Sequence, residues 1–85
     1  MTDPVNHPPH YNVGNIECID AIREALGLAG FVAFCRGNAM KYAWRTGEKD
    51  AAEQDMRKGA WYLVRGADEI AKADAAEIDE IEATS

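Results

Sequence analysis

The chain lacks most of the devices that reinforce small proteins. It has only two cysteines, Cys18 and Cys35, which are too few for a disulfide framework. No charged and then apolar segment of the signal-peptide type opens the sequence. The longest apolar run, residues 28–34, is interrupted by Gly30 and is much shorter than the roughly 20 residues that cross a bilayer. These absences predict a reduced, cytoplasmic protein that does not span a membrane.

The sequence also lacks a basic excess. Residues 1–66 contain eight acidic and eight basic side chains, and the last nineteen residues carry the whole net charge of −6. A chain without a basic excess is not expected to bind duplex nucleic acid, which needs many phosphate contacts. A small anion in a local pocket is compatible with this charge distribution.

The length of 85 residues allows one domain, and such a domain buries only about 60–65% of the surface of its unfolded chain. A core that small usually needs disulfides, a metal or self-association. The thin core and the broad apolar face of the last helix, described below, predict a homo-oligomer.

Proline and helical periodicity divide the chain. Three prolines within the first nine residues predict an N-terminal arm over residues 1–15. A first helix is expected over residues 16–26 with Asn15 as its N-cap, ended by Gly27. A second helix is expected from Gly30 to Arg45, stopped by Thr46 and Gly47.

A third helix is expected from a capping-box pattern formed by Asp50 and Glu53. Apolar residues then recur at the 3.5-residue spacing of a helix packed along another helix: Met56, Ala60, Leu63, Ala67 and Ile70. The predicted fold is therefore all-α, a small three-helix domain over residues 16–73 with a long C-terminal helix. Residues 74–85 form an acidic tail.

The short connection at residues 46–50 predicts that the second and third helices lie antiparallel, with opposed residue numbers adding to about 96. Polar and aromatic side chains then share one side of this hairpin. Helix geometry places the two sets within arcs of about 100° and 80°: Asn38, Lys41, Tyr42 and Arg45 on one helix, and Asp55, Lys58, Tyr62 and Arg65 on the other.

These side chains have the chemistry of a site for a phosphorylated ligand with a flat base. Arginine donates two hydrogen bonds to phosphate oxygens, lysine supplies a point charge, and tyrosine stacks on a base. The alternative is a salt-bridged surface in which Lys41 pairs with Asp55 and Arg45 with Glu48.

A family resemblance supports the ligand interpretation. The chain resembles the SaV-like family of small bacteriophage proteins through residues 6–11 (NHPPHY), 16–20 (IECID), 37–45 (GNAMKYAWR) and 61–63 (WYL). The resemblance covers about residues 5–66. The family includes a nucleotide kinase of T-odd coliphages that lacks a Walker-type phosphate loop and forms a large oligomer.

The resemblance implies a nucleotide or cyclic nucleotide ligand, an oligomer, and a location in the host cytoplasm. It extends the candidate ligand-binding set to the arm and the interhelical turn. The transferred residues are His7, His10, Tyr11, Asn38, Lys41, Tyr42, Arg45, Lys49, Asp55, Lys58 and Tyr62, to which the helical spacing adds Arg65. The sequence has no Gly-rich phosphate loop of the P-loop type, so catalytic residues are not assigned.

Metal sites are the weaker alternative. His7, His10, Cys18 and Cys35 are zinc-ligand types, but their spacing matches no compact zinc pattern, and no resident metal is expected. Mg²⁺ would be needed only if the chain is a kinase. Trp44 and Trp61 are expected to be core or interface anchors.

Three functions remain open. In the first, the chain binds and sequesters a nucleotide, as expected of a phage protein that counters host defence signalling. Alternatively, it is a nucleoside monophosphate kinase that uses ATP, with the cationic residues stabilising the transferred phosphoryl group. The third is a non-enzymatic module that inhibits a host protein.

Overall fold

The computed structural model describes residues 12–13, 16–49 and 51–84, and within them it is almost entirely helical. Two short strands, β1 (Asn12–Val13) and β2 (Ile16–Glu17), pair antiparallel with Asn12 opposite Glu17. They precede two helices, α1 (Cys18–Trp44) and α2 (Ala52–Thr84). The strands were not expected, since residues 16 and 17 were assigned to a helix.

The prediction of three helices is wrong, because the described part of the chain has two. The first two expected helices are a single helix, α1, which continues through the expected break at Gly27. Gly27 has non-helical backbone angles, with φ of 72°, a conformation that only glycine adopts without strain. The residue therefore kinks α1 instead of ending it. The N-cap of α1 is Glu17, not Asn15.

The turn between α1 and α2 reverses the chain. Thr46 Oγ1 donates to the carbonyl oxygens of Tyr42 and Ala43 at 3.0 and 2.9 Å, which satisfies acceptors at the end of α1. Gly47 has φ of +78°, so the chain turns at the expected position. Asp50, which belonged to the expected capping box, lies outside the described residues.

The two helices approach closely because glycine lies on the inner side of α2. A Cβ atom on Gly66 would lie 3.3 Å from Cys35 Cβ, and one on Gly59 would lie 3.3 Å from the Ala39 carbonyl oxygen. The buried apolar side chains of the described residues are Phe31, Cys35 and Ala39. The core is therefore as small as the chain length predicts.

The line of α2 that faces α1 is not the predicted apolar line. Met56, Leu63 and Ile70 are 64%, 52% and 42% exposed, and Ala60 and Ala67 are exposed as well. The residues nearest α1 have the same spacing but different chemistry: Asp55, Gly59, Tyr62, Gly66 and Glu69. The predicted apolar line therefore does not form the contact between α1 and α2.

Beyond Ala73, the side chains of α2 through residue 83 are exposed. The helix continues to Thr84, so the segment expected to be an acidic tail, residues 74–85, is helical as far as residue 84. Among the described residues, neither helix combines the length and apolar character that a membrane crossing requires.

Candidate ligand-binding site

Two stacked tyrosines form the centre of the polar side of the hairpin. The rings of Tyr42 on α1 and Tyr62 on α2 lie 6.0 Å apart between centroids, with 14° between their planes. Phe34 meets Tyr62 edge-on at 6.0 Å, and Trp61 does so at 5.1 Å. Such aromatic contacts fix ring positions and stabilise beyond simple burial. The Phe34–Tyr62 contact is also the pairing that the predicted register gives.

Three cations surround the ring of Tyr42. Lys41 Nζ lies 4.4 Å, Arg45 Cζ 4.6 Å and Lys58 Nζ 5.5 Å from the ring centroid. All three are within the roughly 6 Å range of cation–π attraction. The ring therefore collects positive charge from both helices, which is the arrangement that an anionic ligand requires. We call Lys41, Tyr42, Arg45, Lys58 and Tyr62 the Tyr42 cluster.

Asp55 lies beneath this cluster and is fully buried. Its Oδ2 accepts a hydrogen bond from the Gly47 amide at 3.1 Å, and its Oδ1 lies 3.6 Å from Arg45 Nε. One carboxylate therefore holds both the interhelical turn and the guanidinium of Arg45. Because Asp55 has no exposed surface, it positions Arg45 and does not contact a ligand in this conformation.

Asn38 has a comparable supporting role. Its side-chain amide donates to the Phe34 carbonyl at 3.0 Å, and its Oδ1 accepts from Lys41 Nζ at 3.1 Å. The predicted Lys41–Asp55 pair is thus replaced by Lys41–Asn38 and Arg45–Asp55. Lys41 remains exposed, so it can still meet a ligand.

Arg65 does not join the Tyr42 cluster. Its Nη2 lies 2.7 Å from Asp20 Oδ1, its Nε lies 3.4 Å from Glu69 Oε2, and its Cζ lies 5.4 Å from the Phe31 ring centroid. It belongs to a second charged group further along the hairpin, which we call the Glu69 cluster: Asp20, Arg23, Arg65, Glu69 and Lys72.

Glu69 is the nearly buried centre of the second cluster. It accepts hydrogen bonds from Arg23 Nε at 2.9 Å and from Lys72 Nζ at 3.1 Å. Hydrogen bonding from Lys72, followed by that from Arg23, and the nearby charge of Arg65 lower the pKa of Glu69 despite its burial. These contacts link the two helices, and the residues of the Glu69 cluster line an open groove of about 800 Å³.

The sequence interpretation missed the Glu69 cluster because it counted Glu69 with the acidic C-terminal excess. The spacing of charged residues along α2 could have revealed it. Lys58, Tyr62, Arg65, Glu69 and Lys72 follow one another at spacings of four and three residues, so they share one side of α2. A carboxylate between cations on that side indicates a structural ion-pair group.

The other candidate residues are spread more widely. Lys49 is exposed in the interhelical turn. His7, His10 and Tyr11 lie outside the described residues. Cys18 is exposed, and Cys35 is buried between the helices, where burial raises the pKa of its thiol. Within the described ranges, no group of three or more acidic, histidine or cysteine side chains is arranged to hold a metal.

Trp44 was expected to be a core or an interface anchor, and the structure excludes the first of these while the second stays a prediction. Its side chain is 90% exposed, so it is not a core residue within this chain. Trp61 is half-buried and contacts Tyr62.

Comparison with known proteins identifies the family. Residues 5–64 match the model of DUF3310, a family of proteins of unknown function, and the chain belongs to that family. Over 62 residues it is 36% identical to the Gene 1.7 protein of Enterobacteria phage T3, a match covering 68% of this chain and 38% of the relative. The chain thus corresponds to well under half of that protein's length. No solved structure matches it.

Proposed function

We propose that this phage-family chain binds a phosphorylated nucleotide at the Tyr42 cluster. The observation that carries the proposal is the convergence of Lys41, Arg45 and Lys58 on one tyrosine ring. Within the part of the chain that the structure describes, the carboxylate found with these three cations is that of the buried Asp55. An anion is therefore attracted to this side of the hairpin even though the whole chain has a net charge of −6.

The charge and the rings account for different parts of the ligand. Lysine and arginine side chains bind phosphate oxygens through charge-assisted hydrogen bonds. The half-buried rings of Tyr42 and Tyr62 beside them supply a surface for stacking a base, an interaction that every base can make because each has a π-face. A nucleotide combines both groups, whereas inorganic phosphate would use the cations alone.

Arg45 is prepared for this role before a ligand arrives. Its guanidinium lies against the Tyr42 ring and near the Asp55 carboxylate, so less side-chain entropy is lost when it binds an oxygen. Asn38 does the same for Lys41 through its hydrogen bond. In this proposal Asp55 and Asn38 are positioning residues, and the three cations contact the phosphate.

Sequestration is the form of the proposal that needs least from one short hairpin. Phosphoryl transfer requires two phosphorylated substrates and normally Mg²⁺ to be positioned together, and the Tyr42 cluster accounts for one of them. Because residues 37–45 resemble the SaV-like family, nucleoside monophosphate kinase activity remains the alternative and is tested alongside. A protein that holds a nucleotide without turnover would remove a host signalling molecule from solution.

A thermal-shift series tests the proposal. Mono-, di-, tri- and cyclic nucleotides are added to the purified protein, with inorganic phosphate as the control for charge alone. Binding to the folded state raises Tm with ligand concentration, and a nucleotide should raise it more than phosphate does. If no nucleotide raises Tm, the proposal fails and an interaction module becomes the better explanation.

The kinase alternative has a separate readout. The protein is mixed with a nucleoside monophosphate, ATP and Mg²⁺, and ADP is measured at high protein concentration. Sequestration predicts a thermal shift without ADP. ADP formation that requires the monophosphate would replace sequestration with catalysis while leaving the nucleotide site in place.

A further inference from the structure

One side of α2 presents a continuous apolar line that the described residues leave largely exposed. The line consists of Met56, Ala60, Leu63, Ala67 and Ile70, which we call the α2 seam. Its three large side chains are about half exposed or more. Its residues recur at alternating spacings of four and three, the rhythm of a helix that packs along a second helix.

The α2 seam lies on the opposite side of α2 from the Tyr42 cluster. Helix geometry puts the seam on one flank of the line formed by Gly59 and Gly66, and puts Lys58 and Tyr62 on the other flank. The hairpin therefore has one polar, aromatic side and one apolar side. A partner on the apolar side would leave the proposed nucleotide site open.

The order of side chains in the seam is self-complementary. Large and small residues alternate as Met, Ala, Leu, Ala, Ile, and the order is nearly symmetrical about Leu63. Two antiparallel copies that meet at Leu63 place each alanine opposite an alanine and each terminal large residue opposite the other. Alanines at such positions let the two helix backbones approach closely, so the large side chains interlock.

The charges beside the seam favour the same direction. Arg57 and Asp68 border the seam on the side away from α1 and lie at nearly equal distances in sequence from Leu63. An antiparallel pair puts Arg57 near the height of Asp68 of the partner subunit. A parallel pair related by a two-fold axis would put Arg57 of the two copies on opposite edges of the contact, so Arg57 and Asp68 would not meet across it.

We propose that the α2 seam is a two-fold interface that binds the α2 seam of a second copy of this chain in antiparallel orientation. The second copy supplies the apolar contact that the small core of Phe31, Cys35 and Ala39 leaves incomplete. The contact is isologous, so both copies bury the same residues. It does not depend on the nucleotide proposal.

Analytical ultracentrifugation of two matched variants tests the surface. Leu63→Glu places a charge at the centre of the seam, whereas Met40→Glu places one at an exposed α1 position, where the native side chain is 71% exposed. Leu63→Glu should lower the assembly mass and Met40→Glu should not, with the helical circular dichroism of both variants retained. A monomeric wild type at high micromolar concentration, or equal masses in all three proteins, would overturn the proposal.

Oxidative cross-linking tests the direction of the pair. In a Cys18→Ser background, Leu63→Cys should form a disulfide-linked dimer because the two cysteines meet at the axis. Met56→Cys should not do so alone, because antiparallel packing separates it from its counterpart by about 21 Å, but it should cross-link when mixed with Ile70→Cys. Cross-linking of Met56→Cys alone would indicate a parallel pair, and failure of Leu63→Cys to cross-link would exclude the two-fold contact.

Discussion

Replacement of Asp55 by alanine should destabilise the hairpin more than any replacement of an exposed acid. The carboxylate is fully buried, accepts a hydrogen bond from the Gly47 amide and lies 3.6 Å from Arg45 Nε. Its removal leaves a backbone donor of the turn without that acceptor and a guanidinium without that countercharge.

The magnitude follows from these two contacts. A buried donor that loses its acceptor costs about 1–3 kcal/mol, and a fully buried ion pair that loses one partner costs about 3–5 kcal/mol. Arg45 retains some exposure and the pair is longer than a hydrogen bond, so the electrostatic part lies well below that range. We expect Asp55→Ala to lower the free energy of unfolding by about 2–4 kcal/mol, a large part of the stability of a small domain.

Urea denaturation followed by circular dichroism measures this change. With a slope of about 1–1.5 kcal/mol per molar urea for a small protein, the midpoint should fall by about 2 M. Asp55→Asn should lose less, because the amide oxygen still accepts from Gly47. Glu53→Ala removes an exposed acid that pairs with Arg57, and it should change stability by less than about 0.5 kcal/mol. An Asp55→Ala midpoint within the error of Glu53→Ala would refute the argument.

Three further results are expected. The pKa of Glu69 is lowered from its ordinary value near 4.5, so its stabilising effect is fully present above that pH and is lost on acidification. Glu69→Gln should therefore flatten the fall of Tm as the pH drops below that value. Gly66→Leu should cost about 1–3 kcal/mol in urea denaturation because it forces the helices apart at Cys35, whereas Gly37→Ala, which meets no neighbour, should gain up to about 1 kcal/mol. A thiol reagent should modify Cys18 much faster than Cys35 in the folded protein, and equal rates would contradict the burial of Cys35.

The placement of Tyr42 and Tyr62 on one side of the hairpin could be anticipated because it depends on two local features. Helical spacing assigns polar residues to one side of each helix, and a short turn at Thr46 and Gly47 makes the helices antiparallel. The sequence could not predict which charged side chains pair, because Lys41, Arg45 and Asp55 are close enough for several pairings. Packing around the buried Asp55 selects among them.

The line of α2 that packs on α1 was assigned wrongly for an identifiable reason. Two lines on this helix have the same spacing, one apolar through Met56, Leu63 and Ile70, and one through Gly59 and Gly66. Hydrophobicity favours the first, but backbone approach favours glycine, and close approach determines which line faces α1. The large side chains are then left at the flank.

Gly27 illustrates a second limit of sequence patterns. A glycine at the end of an apolar period normally marks a helix terminus, and here it has the positive φ of such a terminus. The chain nevertheless resumes the helix immediately, so the expected interval between Gly27 and Gly30 is absent and the two expected helices join at a kink.

The central claim is tested most directly by isothermal titration calorimetry with a nucleotide that raises Tm in the thermal-shift series. The nucleotide is titrated into the wild type and into two variants that each replace one arginine. Arg45→Ala removes a cation that lies against the Tyr42 ring, and Arg57→Ala removes an exposed arginine elsewhere on the hairpin. If the Tyr42 cluster holds the phosphate, Arg45→Ala weakens binding by about 1–3 kcal/mol while Arg57→Ala binds as the wild type does. Equal affinity of both variants and the wild type would contradict the assignment of the site.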